Sequence, residues 1–180
     1  MRVNRTAILS LAAALPVLVA PVASHAADGD EVFFRSVQGV WTGPGEIVAG
    51  KYKGTKFTCR LNGSTPNGKV GMKLDGSCRV GVFSQRMSAT VERNGRGYRG
   101  TFLDGAVGEG LDIVSGSVDG KKVTFAISRN QLNGAMSARL PSKDSMNVSV
   151  SVKVDRQMIR VIAMDLKRIN DAPVATVASE

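Results

Sequence analysis

The chain has 180 residues, with 24 Lys and Arg against 15 Asp and Glu, two cysteines and one histidine. That length suits one domain with a core of its own, and a formal net charge of +9 favours anionic partners. With His25 the sole histidine, the chain is poorly supplied for general-base, zinc or haem chemistry.

The first segment reads as an export signal. Arg2 and Arg5 precede an apolar run from Ala7 to Ala23, broken by Pro16 and Pro21, and Ser24-His25-Ala26 has the small-x-small pattern of a cleavage site. No stop-transfer segment follows, and no cysteine stands at the cut to take a lipid anchor. The expected division is a signal over residues 1–26, a folded domain over 27–169 and a patternless, disordered tail over 170–180. Cleavage removes Arg2, Arg5 and His25, which leaves 22 bases against 15 acids and no histidine. The expected location is the periplasm or the exterior.

Asp28 to Arg35, with Val32, Phe33 and Phe34, reads as a short helix or an arm that plugs one end of the fold. From Val37 onward, short alternating segments separated by glycine-rich turns predict strands. They are Val37–Val48, with Pro44 suggesting a bulge or bend, Thr55–Leu61, Lys69–Val80, Gln85–Arg93, Tyr98–Leu103, Gly110–Val118, Lys122–Ile127, Met136–Leu140 and Met146–Val154. Met158–Ile169 does not alternate cleanly and admits a helix. The β-branched pair Val161-Ile162 and the short turn before it favour a strand. The expected fold is all-β, a single antiparallel up-and-down barrel of 8–10 strands, which hides its edges by closure. A two-sheet sandwich is the alternative. Lys and Arg crowd the polar faces, which argues against an outer-membrane barrel.

Phe57, Cys59 and Leu61 share one face of their strand, and Met72, Leu74, Gly76 and Cys78 share one face of the next. A reversal near Asn67 to Lys69 brings Cys59 opposite residues close to Cys78, within reach of a cross-strand disulfide. In an oxidising compartment that link contributes on the order of 3 kcal/mol.

Gly39-Val40-Trp41 resembles the Gly-x-Trp signature of the lipocalin-like (calycin) barrels. The longer stretch through Thr42-Gly43-Pro44-Gly45 is similar to the opening of their nitrobindin-like branch. The resemblance implies an eight- or ten-stranded barrel with Trp41 closing one end and a cavity for a small apolar ligand. That branch holds haem through a histidine, and the exported chain has none, so no cofactor is expected. A second likeness is to small periplasmic barrel inhibitors of secreted proteases, which also open with a tryptophan strand near a disulfide.

The candidate ligand-binding residues are Trp41, Phe57, Met72, Met87, Tyr98, Phe102 and Phe125. Six methionines remain after export, several on the faces read as buried, which makes an interior able to repack around a guest or merely filled by soft side chains. They lack the clustered spacing of a copper site. Asp104, Glu109 and Asp112 form an acidic group without a calcium-loop spacing and read as a solvated turn. Ser142-Lys143 and Ser115-Gly116-Ser117 carry no nucleophile signature, so no enzymatic activity is expected. Basic residues gather around Lys51, Arg93, Lys121 and Lys153, where barrel rims would meet anionic envelope components. Nucleic acid is not an expected partner, because export removes the chain from it and aromatic side chains are few. Two readings follow: a binding barrel for a small hydrophobic or amphipathic ligand, and an interaction or inhibitor-like module with a solid core.

Overall fold

The structure, a computed structural model, describes residues 23–103 and 110–169. The predicted signal up to residue 22, Asp104, Glu109 and the tail from residue 170 lie outside the described residues. One helix, α1 (Ala23–Ser36), precedes ten strands: β1 (Gly39–Ile47), β2 (Lys56–Ser64), β3 (Gly71–Val80), β4 (Phe83–Asn94), β5 (Gly97–Leu103), β6 (Leu111–Asp119), β7 (Lys122–Arg129), β8 (Leu132–Ser142), β9 (Ser145–Val154) and β10 (Gln157–Ile169). Ala23 to Ala26, read from sequence as the end of the signal, form the start of α1.

Each strand pairs antiparallel with its sequence neighbours, and β1 pairs with β10 to close an up-and-down barrel. Closure is local everywhere except at that seam, where Val40 lies opposite Ile169 and Ile47 opposite Ile162. Turn chemistry explains why the chain doubles back so often. Gly81-Val82, Gly95-Arg96, Gly120-Lys121, Asn130-Gln131 and Asp155-Arg156 each link paired strands, and the first residue of each has φ between +51° and +60°. A two-residue hairpin needs that left-handed turn to match strand twist.

Alternation sorts the side chains. On β2, Cys59 and Leu61 are buried while Lys56, Thr58, Arg60 and Asn62 are exposed; on β7, Val123, Phe125 and Ile127 are buried. The ambiguous last segment is a strand whose register shifts between Arg160 and Ile162. Val161 is the extra residue of a bulge there, so Ile159 and Ile162 meet the same side of the sheet although they are three apart. That is why period 2 fails there.

Pro44 does not produce the expected bulge, since β1 keeps one register on both sides through it. Close approach is supplied by its neighbours instead. A Cβ on Gly43 would lie 2.1 Å from the Asp165 carbonyl oxygen, and one on Gly45 would lie 2.3 Å from the Phe57 ring. Gly43-Pro44-Gly45 is thus the thin place that lets β1 seat against β10. Cys59 and Cys78 face each other in register across β2 and β3 and form a disulfide with a Cα–Cα distance of 4.0 Å.

Candidate functional site

The barrel has two unlike ends. Where β1 begins, α1 lies across the opening and buries Phe33, Phe34 and Val37. This closed end is latched by polar contacts. Tyr98 donates its hydroxyl to Asp30 Oδ2 at 2.5 Å, and Arg93 Nη2 donates to the same oxygen. Phe34 packs on the Tyr98 ring at 5.2 Å, and Tyr98 on Phe125 at 6.1 Å. Burial pushes the Tyr98 hydroxyl up to about 12, and the bond to the Asp30 carboxylate adds to the rise. An acidic proton held between a phenol and a carboxylate is harder to lose.

Arg168, from the end of β10, is the second latch. Its Nη2 donates to the Ser36 carbonyl at 2.7 Å and its Nε to the Lys143 carbonyl at 3.0 Å, while Nη1 donates to the Gln38 carbonyl. A guanidinium at a helix C-terminus satisfies carbonyls that have no partner within the helix. Its carbon centre also sits 4.2 Å over the Trp41 ring.

Between α1 and the opposite end lies a cavity of about 640 Å³ lined by 24 residues. Phe33 and Val37 make its floor, and Ile47, Tyr52, Val80 and Gln85 stand at its mouth. Gln85 and the Tyr52 hydroxyl are the polar side-chain groups of the lining, and no lining residue is charged. The remaining wall is carbon and sulfur. Five methionines, Met72, Met87, Met136, Met146 and Met164, contribute to it, as does Cys78. Cys59 Sγ lies 3.8 Å from Met164 Sδ. Unbranched thioethers adapt their shape at little cost, so this wall can conform to more than one guest.

Of the seven candidate residues, Phe57, Met72, Met87, Phe102 and Phe125 line the cavity. Trp41 and Tyr98 do not. Trp41 is wholly buried at the closed end, where its Nε1 donates to the Val37 carbonyl at 2.9 Å, below the cavity floor. Tyr98 is held there by Asp30. Alternation identifies the inward side of a strand but not the height along the barrel axis; here the height follows from where each polar atom finds a partner. Met136, Met146, Met164, Leu111 and Ile162 belong to the wall without having been singled out as ligand contacts. All lie on predicted strands.

The arrangement has little for acid–base or metal chemistry. Among the described residues no three His, Cys, Asp or Glu side chains converge on a metal position, and Asp112 stands exposed on β6. What it can do is shelter an apolar body from water. A cavity of this size falls in the range, about 300–1,000 Å³, that takes a small organic ligand. No helix of the described residues is long and apolar enough to cross a membrane.

No family model and no curated protein matches the chain. The solved structure of Rv2717c from M. tuberculosis is similar to it, with a TM-score of 0.56, 13% sequence identity, and coverage of 78% of this chain and 97% of that one. At that identity the likeness is one of fold, and what the two chains share is the barrel.

Proposed function

We propose that this chain is an exported, non-enzymatic barrel of the lipocalin-like (calycin) kind that binds a small hydrophobic or amphipathic molecule. The observation that carries the reading is the cavity: about 640 Å³, apolar over nearly its whole wall, floored by α1 and open at the other end. A ligand enters tail first, and a polar head stops at the mouth beside Gln85 and Tyr52. Each buried methylene is worth about 0.8 kcal/mol before the cost of ordering the chain, so affinity rises with tail length until the floor is reached. The competing module with a solid core requires an interior filled by side chains, and this interior is not.

Export rests on the basic, apolar and small-x-small succession of residues 2–26, and a cystine fits an oxidising compartment. The expected cut before Ala27 leaves Asp30, Phe33 and Phe34 in place to close the barrel. Intact-mass measurement on the secreted or periplasmic fraction tests the cut, and a mass retaining residues 1–26 contradicts it.

Native mass spectrometry of protein purified without refolding tests the binding function. The expected result is an added small-molecule mass that disappears on solvent extraction, after which a polarity-sensitive fluorescent fatty acid binds saturably. An extracted protein that takes up no such probe overturns the proposal.

A further inference from the structure

Apolar side chains on a folded surface ordinarily occur singly. Here they gather. Of the ten large hydrophobic residues exposed among the described residues, eight lie at the mouth end of the barrel. The most exposed are Val82 at 89% and Phe83 at 79%, at the β3–β4 turn, with Tyr52 in the β1–β2 loop and Val154 and Met158 flanking the β9–β10 turn. Turns of the same two-residue geometry at the closed end carry charge instead, in Gly95-Arg96 and Gly120-Lys121. Backbone geometry therefore does not demand valine and phenylalanine at the mouth.

The mouth is also basic. Lys51, Lys53 and Lys56, at the β1–β2 loop, and Lys153, Arg156 and Arg160, at the adjoining β9–β10 turn, are all exposed. With Arg79 and Arg86, eight bases lie in the mouth loops or among the four residues at the mouth end of a strand. The corresponding acids are Glu46, Asp112 and Asp155, with Asp104 and Glu109 in the sequence that joins β5 to β6. At the closed end, four basic residues are engaged in ion pairs: Arg35 with Glu31, Lys69 with Glu92, Arg93 with Asp30 and Arg168 with Asp144.

We infer that the mouth docks on an anionic lipid bilayer, with Val82 and Phe83 entering the headgroup region and the lysines and arginines beside them meeting lipid phosphates. Apolar tips flanked by bases along one arc of a rim are the chemistry of an interfacial anchor. The placement has a consequence for exchange, because it sets the cavity opening against the membrane and lets an amphiphile pass between bilayer and barrel without crossing water. This inference rests on the binding function proposed above and adds its partner.

The test is co-sedimentation of the exported chain with vesicles of phosphatidylcholine alone and of phosphatidylcholine with 30 mol% phosphatidylglycerol. Binding to the anionic vesicles, weakened by salt, is expected, with little binding to the neutral ones. Each juxtamembrane base contributes roughly fivefold, so Lys153→Glu with Arg156→Glu should lower vesicle affinity by at least tenfold. Val82→Asp with Phe83→Asp should do the same while fluorescent-probe affinity in detergent-free buffer and the melting temperature stay unchanged. Arg96→Glu with Lys121→Glu, at the closed end, should leave vesicle binding intact. Equal binding to both vesicle types, sensitivity only to the closed-end pair, or self-association through the mouth that the Val82 and Phe83 pair abolishes would each overturn the inference. Probe uptake without vesicle binding removes the docking alone; vesicle binding without probe uptake removes the cavity function and leaves the docking.

Discussion

Removing the Cys59–Cys78 link is the perturbation whose size follows most directly from the structure. The two residues are 19 apart in sequence, so the bond closes a loop of about 20 residues. The loop-entropy relation then gives about 3 kcal/mol of stabilisation at 25 °C. For a domain of this size each kcal/mol moves the melting temperature by about 2–4 °C, so the double variant Cys59→Ala, Cys78→Ala should melt roughly 6–12 °C lower. Local packing should matter less, because Cys78 borders a space that is already open. Scanning calorimetry on the variant, on the oxidised protein and on the protein with excess reductant separates the two contributions. Reduction alone should reproduce most of the loss. A shift under about 2 °C in both the variant and the reduced protein would refute the argument, and so would a variant that melts far below the reduced protein, which would make wall packing the dominant effect.

The Tyr98–Asp30 latch predicts alkaline sensitivity. A hydroxyl near 10 when unfolded and about 12 when folded contributes stability that is fully present below pH 10 and lost as pH rises toward 12. Tyr98→Phe should flatten that decline in urea midpoints between pH 9.5 and 11.5, and an unchanged slope counts against the latch. Ala138→Trp puts a ring into the cavity, so probe affinity should fall at least tenfold while the melting temperature holds or rises; retained binding with lower stability contradicts the cavity. Gly43→Ala forces a methyl against the β10 backbone and should cost about 1–3 kcal/mol in chemical denaturation, whereas Gly29→Ala, in a helix with open space around it, should be neutral or stabilising. Equal effects at the two glycines would deny the seam its tight approach.

Much of the barrel was legible because its ladder is local. Alternation and turn residues placed all ten strands to within a few residues, and the face shared by Cys59 and Cys78 anticipated their pairing. The seam was less legible, since Val40 and Ile169 are far apart in sequence and only closure brings them together. Register irregularities were hidden as well: Val161 bulges where no glycine or proline marks it, and Pro44 leaves the register intact. At the site, side-chain parity found the inner face, but Trp41 and Tyr98 sit at the level of α1, a position fixed by long-range bonds to Val37 and Asp30. Arg168 gave no local signal, because its role depends on a helix end some 130 residues earlier.

Methionine methyl resonances offer the most direct reading of the cavity. Met72, Met87, Met136, Met146 and Met164 line it, and Met158 stands exposed outside it, an internal control within one spectrum. On titrating methyl-labelled protein with a medium-chain fatty acid in vesicle-free buffer, the five wall resonances should shift together and saturate at one equivalent while that of Met158 stays put. Movement of Met158 with the five unchanged would place the guest on the surface and contradict the account.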